Sequence, residues 1–456
     1  MNELLCVLVT VLLVSCSGHN SVTRQPVPYV SRMLSDTSAA GYRLLHSFDD
    51  GDVSGVIAVI GSSEECILMS EKLMTGDDFD NVDGSARPDG LPDFAGETVT
   101  SFIDMPNTNP PTTTESALKD KLERAARTSW VNYGFHFGAT NSNLQEIKNL
   151  SGQFAGIKVF MGSSTGNMLV DRQEALEKIF SIKGRPVLVH SEDEGTIKAN
   201  LAAAKERFGE DIPFCLHPQI RSREACIKST ARALELAKRH GTRLHILHVS
   251  TSEEVDMIRE AKKENPRITA ETSPNYLWFC DKDYGAMGGK LKCNPSVKSA
   301  SDRESLRQAV RNGIIDTIGT DHAPHLPEEK DRSYLSCPSG LPSIGQSISV
   351  LTTIFDKKED LPLIARIFSE NASRIFNIKD RGRLEPGSFA DLTVIDPSET
   401  NTLKKEDIAY KCGWSPYEGA ILKGRVKMTF LNGSIAARDG QTVPGATPFP
   451  LEFRKN

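Results

Sequence analysis

The chain has 456 residues, 38% of them hydrophobic and 25% charged, long enough for a barrel-sized domain plus a smaller one. Its formal net charge of -6, with no long Lys/Arg block, excludes nucleic acid or an anionic membrane as the main partner and favours a small-molecule substrate. The nine cysteines are odd in number, scattered and without a C-x-x-C pair, which points to free thiols in a reducing compartment.

The first element is an apolar run over residues 4–14, too short to span a bilayer but suited to a leader core. Leu13-Val14-Ser15-Cys16 looks like a lipoprotein cleavage box, whereas Glu3 stands where such leaders carry a positive charge. A cytoplasmic protein is expected, with export or lipid anchoring through residues 1–16 as the alternative. Residues 17–75 are rich in Ser, Gly and Asp with weak strand-like runs such as 56–60, and are expected to add to a β-sandwich.

From Thr100 the pattern changes. Ser101-Phe-Ile-Asp-Met105 reads as a buried strand stopped by Pro106-Asn107-Thr108-Asn109-Pro110-Pro111, and a helix follows over residues 116–128. Gly156-Ile-Lys-Val-Phe160 precedes a helix over 171–182, and Pro186-Val-Leu-Val-His190 one over 196–208. Arg243-Leu-His-Ile-Leu-His248 leads into Thr251-Ser-Glu-Glu254, a capping box opening a helix to Lys263. Residues 267–271 form another strand, Ser301-Asp-Arg-Glu304 caps a helix to Arg311, and Ile314-Ile-Asp-Thr-Ile318 runs into Gly319-Thr-Asp321-His322-Ala-Pro-His325. Strand, loop and helix in repetition predict an α/β fold, a (β/α)8 TIM-type barrel over residues 76–380. Residues 381–456 alternate and turn as a C-terminal β-sandwich portion would, with the linker near residues 377–382.

Strand ends carry the chemistry of parallel barrels. Lys158 lies within an apolar strand, where a bare ammonium is costly to bury. It is either on the wet side of its strand, or it is partnered, or it is modified, for instance as a carbamate that can bridge metal ions. His190 and His248 each end a strand and read either as hydrogen-bonded core residues or as metal ligands. With Asp321 they make four candidate ligands at four strand ends, a set suited to metal-assisted hydrolysis in which a carboxylate relays the proton. Asn107, Asn294 and His325 are candidates for holding a substrate, although both asparagines sit beside prolines and fit simple turns as well.

Seven stretches together resemble dihydroorotase, a zinc amidohydrolase of pyrimidine biosynthesis, in its Bacteroides-like bacterial form. They are Asp104-Met-Pro-Asn-Thr-Asn-Pro-Pro111, Gly156-Ile-Lys-Val-Phe-Met-Gly-Ser-Ser-Thr-Gly-Asn-Met-Leu-Val170, Leu188-Val-His-Ser-Glu192, His217-Pro-Gln-Ile-Arg-Ser-Arg-Glu-Ala225, Leu244-His-Ile-Leu-His-Val-Ser-Thr251, Lys292-Cys-Asn-Pro-Ser-Val-Lys298 and Gly319-Thr-Asp-His-Ala-Pro-His325. The resemblance implies a barrel with a small β-sandwich built from both ends of the chain, one or two Zn2+ ions, a homodimer, and reversible conversion of N-carbamoyl-L-aspartate to L-dihydroorotate. It places Lys158 on the carboxylated lysine, His190 and His248 on metal histidines, and Asp321 on the metal-bound general acid/base. Asn107, Asn294 and His325 fall on substrate-contacting positions.

The departure is at the first strand, where the family has a His-x-His followed by a substrate arginine. The nearest run here is Asp80-Asn-Val-Asp83-Gly-Ser-Ala-Arg87, which puts Asp83 at a metal position and Arg87 at the arginine. Only residues 92–98 are then left for the first barrel helix, too few for one. A site rebuilt on Asp83, a non-catalytic paralogue and a foreign reading frame before Thr100 all account for this, so activity of this form is in question. Hydantoinase or allantoinase activity, or a silent partner supporting another pyrimidine enzyme, are the alternatives to dihydroorotase.

Overall fold

The computed structural model describes residues 99–162 and 168–454, together with the backbone of five strands between residues 7 and 76. Eight parallel strand positions follow one another in chain order. They are Thr75–Gly76, Ser101–Asp104, Asn132–Phe135 continued past His136 by Phe137–Gly138, Ile157–Phe160, Val187–His190, Leu244–Ile246, Thr269–Thr272 and Thr317–Ile318. Helices Glu115–Thr128, Gln173–Phe180, Glu194–Phe208, Arg223–His240, Ser252–Glu264 and Ala300–Arg311 lie between them, the alternation expected of the (β/α)8 barrel.

Two-residue periodicity builds the wall. Ile157, Val159, Val187, Val189, Leu244 and Ile246 share one large core with residues of the surrounding helices, such as Leu176, Leu236 and Ile258. The alternate positions, Lys158, Phe160, Leu188, His190 and His245, therefore face the lumen. There Leu188 joins a separate apolar cluster with Ile103, Phe376 and Leu451. The C-terminal tail packs on the Asn132–Phe135 strand, with Leu451 N–H donating to Tyr133 O at 2.7 Å. Gly134 permits this approach, because a Cβ there would lie 2.9 Å from Phe453 Cζ.

The second sheet is antiparallel, in the order Gln441–Thr442, Ser434–Arg438, Ile421–Leu431, Leu392–Thr402 and Met69–Ser70, so its edge strand comes from the N-terminal segment. Val7–Val14, Val53–Ile60 and Arg43–Asp49 form a further three-stranded antiparallel sheet. Among the described residues no helix is long and apolar enough to cross a membrane.

Asp391 ties sandwich to barrel. It pairs with buried Arg381, accepts from Asn432 N at 2.7 Å, and accepts from Asn132 Nδ2 of the barrel strand at 3.2 Å. Removing one member of a buried pair strands the other charge, which costs about 3–5 kcal/mol. Asp391→Ala is therefore expected to lose about that much stability in urea unfolding, and an unchanged midpoint would show that this junction carries no such weight.

The capping box at Thr251 and Glu254 forms as expected. The helix expected to be capped at Ser301 instead starts after Ser299, whose side chain accepts from Asp302 N while Asp302 returns to Ser299 N. Both serines have an acidic residue three positions on; what decides is that Asp302 also binds the Ser252 N–H at 2.9 Å and the Arg223 guanidinium at 2.6 and 3.0 Å. Burial would raise the Asp302 carboxyl, but Arg223, Ser299 and the Ser252 N–H outweigh it and bring it down to about 2. A carboxyl depressed in the folded state contributes stability above its unfolded pKa, roughly 3.9, and loses it as pH falls toward 2. Asp302→Asn should flatten the stability profile in that window, and an equally steep acid limb in the variant would rule this source out.

Candidate functional site

Three described strand ends bring their polar residues to the C-terminal edge of the sheet. His190 closes Val187–His190, His248 follows Leu244–Ile246, and Asp321 follows Thr317–Ile318. His248 and Asp321 have φ of 39° and 47°. Among the described residues, the other non-glycine residues at positive φ are Asn377, Asp380, Asn432 and Asp439, types that tolerate the left-handed region. A histidine held there, within a buried strand-end turn, is strain of the kind that marks working sites.

The two imidazoles converge: His190 Nδ1 and His248 Nε2 are 2.9 Å apart, with ring centroids at 4.7 Å. Burial holds both below the ordinary histidine range, against the opposing pull of Glu192 at His190 and helped at His248 by neighbouring His190 and Lys158, so both rings are neutral at pH 7. His190 Nε2 lies 3.0 Å from Glu192 Oε2. A carboxylate offers only lone pairs, so the tautomer this contact favours has the ring proton on Nε2 and the Nδ1 lone pair toward His248. A neutral imidazole lone pair is the donor that zinc and related divalent ions take. Among the described residues no group of three His, Cys, Asp or Glu side chains forms a complete metal site. The two histidines fit a metal as half of one.

Lys158 is 0% exposed, which removes the reading of a lysine on the wet side of its strand. Its ammonium stands 4.5 Å from the Phe160 ring centre, and its charge contributes to lowering both His190 and His248. Asp321 is partly exposed, and its charge adds to burial in pushing the Cys293 thiol up to about 12, which places it against the Lys292-Cys-Asn-Pro loop.

Asn107 is buried in a turn pinned from the Glu115–Thr128 helix. Lys121 pairs with Asp104 at 2.5 Å and donates to Met105 O at 2.8 Å. Asn294 is partly exposed at the tip of its loop. His325 is buried, with Nε2 donating to Ser339 O at 3.2 Å and its carbonyl accepting from Trp414 Nε1 at 2.7 Å. Asp83 and Arg87 lie outside the described residues. The strand that pairs with Ser101–Asp104 on the side away from Asn132–Phe135 is Thr75–Gly76, earlier in the chain than the Asp80–Asp83 run proposed for the first strand.

Several groups were not anticipated. His136, His245 and Glu271 line the lumen with Lys158; His245 Nδ1 meets Thr269 Oγ1 at 2.8 Å, and both histidines stack edge-on against Phe376. Period-two alternation was the available signal, since His136, His245 and Glu271 each stand next to an outward apolar residue, Phe135, Leu244 and Ile246, and Ala270. Lys330 is buried and donates to the carbonyls of Lys292, Pro338 and Gly340 at 2.8 to 3.1 Å. Lys292 donates to Tyr334 O and Cys337 O. These two ammonium groups, which burial brings down to about 8, hold the loop that carries Ser339 beside the Asn294 loop. The six described cysteines are all free thiols, as expected.

Comparison with known proteins bears on the family and the fold. A model of the Amidohydrolase family matches residues 88–436, beginning just after Arg87. A dihydroorotase of Methanosarcina mazei is 33% identical over 364 residues, covering 75% of this chain and 78% of that protein. An allantoinase of Streptomyces avermitilis is 31% identical over 351 residues, covering 75% and 77%. Among solved structures, the L-hydantoinase of Arthrobacter aurescens superposes with a TM-score of 0.78 at 24% identity, covering 89% of this chain and 95% of that one. At that identity the likeness speaks for the fold alone.

Proposed function

Because the chain belongs to the amidohydrolase family, whose relatives here make it a hydrolase acting on cyclic amides, we propose that it is a zinc-dependent dihydroorotase interconverting L-dihydroorotate and N-carbamoyl-L-aspartate. The observation that carries the reading is the 2.9 Å convergence of two neutral, buried imidazole nitrogens at the mouth of the barrel. His190 and His248 would hold the metal, with Lys158, in carboxylated form, and Asp321 completing its surroundings. Bound zinc would supply the Lewis acidity that lets water attack an amide carbonyl near neutral pH.

The chain's own residues do the rest. The Asp321 carboxylate takes the proton of the attacking water and returns it to the ring nitrogen as the C–N bond breaks. Asn107 and Asn294, on loops fixed by Lys121 and by the Lys292 and Lys330 carbonyl cages, orient the substrate. His325, held by its bond to Ser339 O, is the third residue assigned to the substrate.

Dihydroorotase is preferred over hydantoinase and allantoinase because Pro106-Asn107-Thr108 and His217-Pro218 belong to the dihydroorotase pattern. Steady-state assays of the full chain with L-dihydroorotate, allantoin and hydantoin test this. The expected result is the highest kcat/KM on L-dihydroorotate; faster turnover of allantoin or hydantoin overturns the substrate assignment.

A further inference from the structure

The short helix His217–Ile220 and the following Arg221 reach two separate parts of the site. Arg221 sends Nε and Nη2 to Glu192 Oε2 at 3.2 and 3.1 Å. That same oxygen lies 3.0 Å from His190 Nε2, and Glu192 is fully buried. Four residues earlier, His217 Nε2 donates to the Cys293 carbonyl at 2.7 Å, so its Nδ1 accepts from Tyr334 Oη at 2.8 Å. Cys293 directly precedes Asn294. A third link, from Ser296 Oγ to Arg221 O at 2.8 Å, ties the far side of that loop to the same segment, and Lys298 Nζ holds Ser296 at 2.8 Å.

We infer that the His217–Arg221 segment is a two-armed brace, with one arm fixing the tautomer and orientation of His190 through Glu192, and the other setting the Asn294 loop through the Cys293 carbonyl. Arg221, Glu192 and His217 are positioning residues, since each acts through a neighbour. The physical requirement is common to both arms. A neutral imidazole presents the right lone pair only if its other nitrogen has a fixed acceptor, and a turn presents its asparagine only if its carbonyls are held. The buried Glu192 charge is tolerated because Arg221 lies against it, and Arg221 is placed by the helical turn that also places His217, whose carbonyl accepts from Arg221 N at 2.9 Å. One segment therefore keeps the metal-side histidine and the substrate-side asparagine in register.

The inference rests on the dihydroorotase reading, and its arms predict different readouts. In the full-length protein, Glu192→Gln and Arg221→Met should raise the zinc dissociation constant, measured by chelator competition, by about 10–100-fold. KM for L-dihydroorotate should stay near the parent value once zinc is saturating. Arg221→Lys, which keeps the charge, should recover part of the affinity. His217→Ala should raise KM on the order of tenfold without changing zinc affinity, and His217→Gln, whose amide can reach the Nε2 position, should recover part of it. Urea unfolding of the metal-free proteins separates positioning from general instability: Glu192→Gln is nearly isosteric, and folded variants with parent-like zinc affinity and KM overturn the brace alone. A parent protein that binds no zinc and does not hydrolyse dihydroorotate overturns the functional reading and the brace together.

Discussion

Asp321→Asn is expected to lower kcat for L-dihydroorotate by about 10²–10⁴-fold, the range for loss of a positioned acid/base group. The substitution is a clean one on physical grounds. Asp321 occupies the left-handed region at φ 47°, where asparagine sits as comfortably as aspartate, so the strand-end turn is preserved while the proton-accepting oxygen is lost. Asp321→Ala would add backbone strain to the chemical change and confuse the two. Stability should accordingly match the parent for Asn and fall for Ala. A kcat within a few-fold of the parent in Asp321→Asn would remove Asp321 from proton transfer.

Lys158→Met should separate stability from activity in opposite directions. A fully buried lysine in an apolar strand costs desolvation, and replacing buried charge by an apolar side chain of similar volume is often neutral or stabilising, by about 1–4 kcal/mol. If Lys158 served only packing, the variant would be at least as stable and equally active. The proposed role predicts equal or greater stability together with an activity loss of at least about 100-fold, the upper end of what even an outer partner of a metal costs. Native intact-mass measurement before and after acid treatment reports the carbamate on the parent, and an unmodified lysine in the native protein would remove carboxylation from the account.

Much of this was legible in the amino-acid order because strand ends are legible. Apolar runs stopping at His190, His248 and Asp321, and the apolar run that encloses Lys158, predicted both the barrel and the residues that its strands carry. Two neutral histidines 58 positions apart meeting at 2.9 Å needed the register of two adjacent strands, which no local pattern encodes. The same limit hid Arg221 and Glu192, partners across 29 positions whose contact depends on how a four-residue helix leans against a strand end. The start of the 300–311 helix was misplaced for a different reason: Ser299 and Ser301 both satisfy the capping pattern, and the choice falls to Arg223 and Ser252 N, which reach Asp302 from other helices. His136, His245 and Glu271 were readable by alternation but were overshadowed by their neighbours at the strand ends.

The most direct test of the account is a crystal structure of the full-length protein with anomalous diffraction collected at the zinc edge. The account predicts an anomalous peak within bonding distance of both His190 Nδ1 and His248 Nε2, with Lys158 and Asp321 beside it. A map with no peak between these two nitrogens, from protein grown with zinc present, would contradict it.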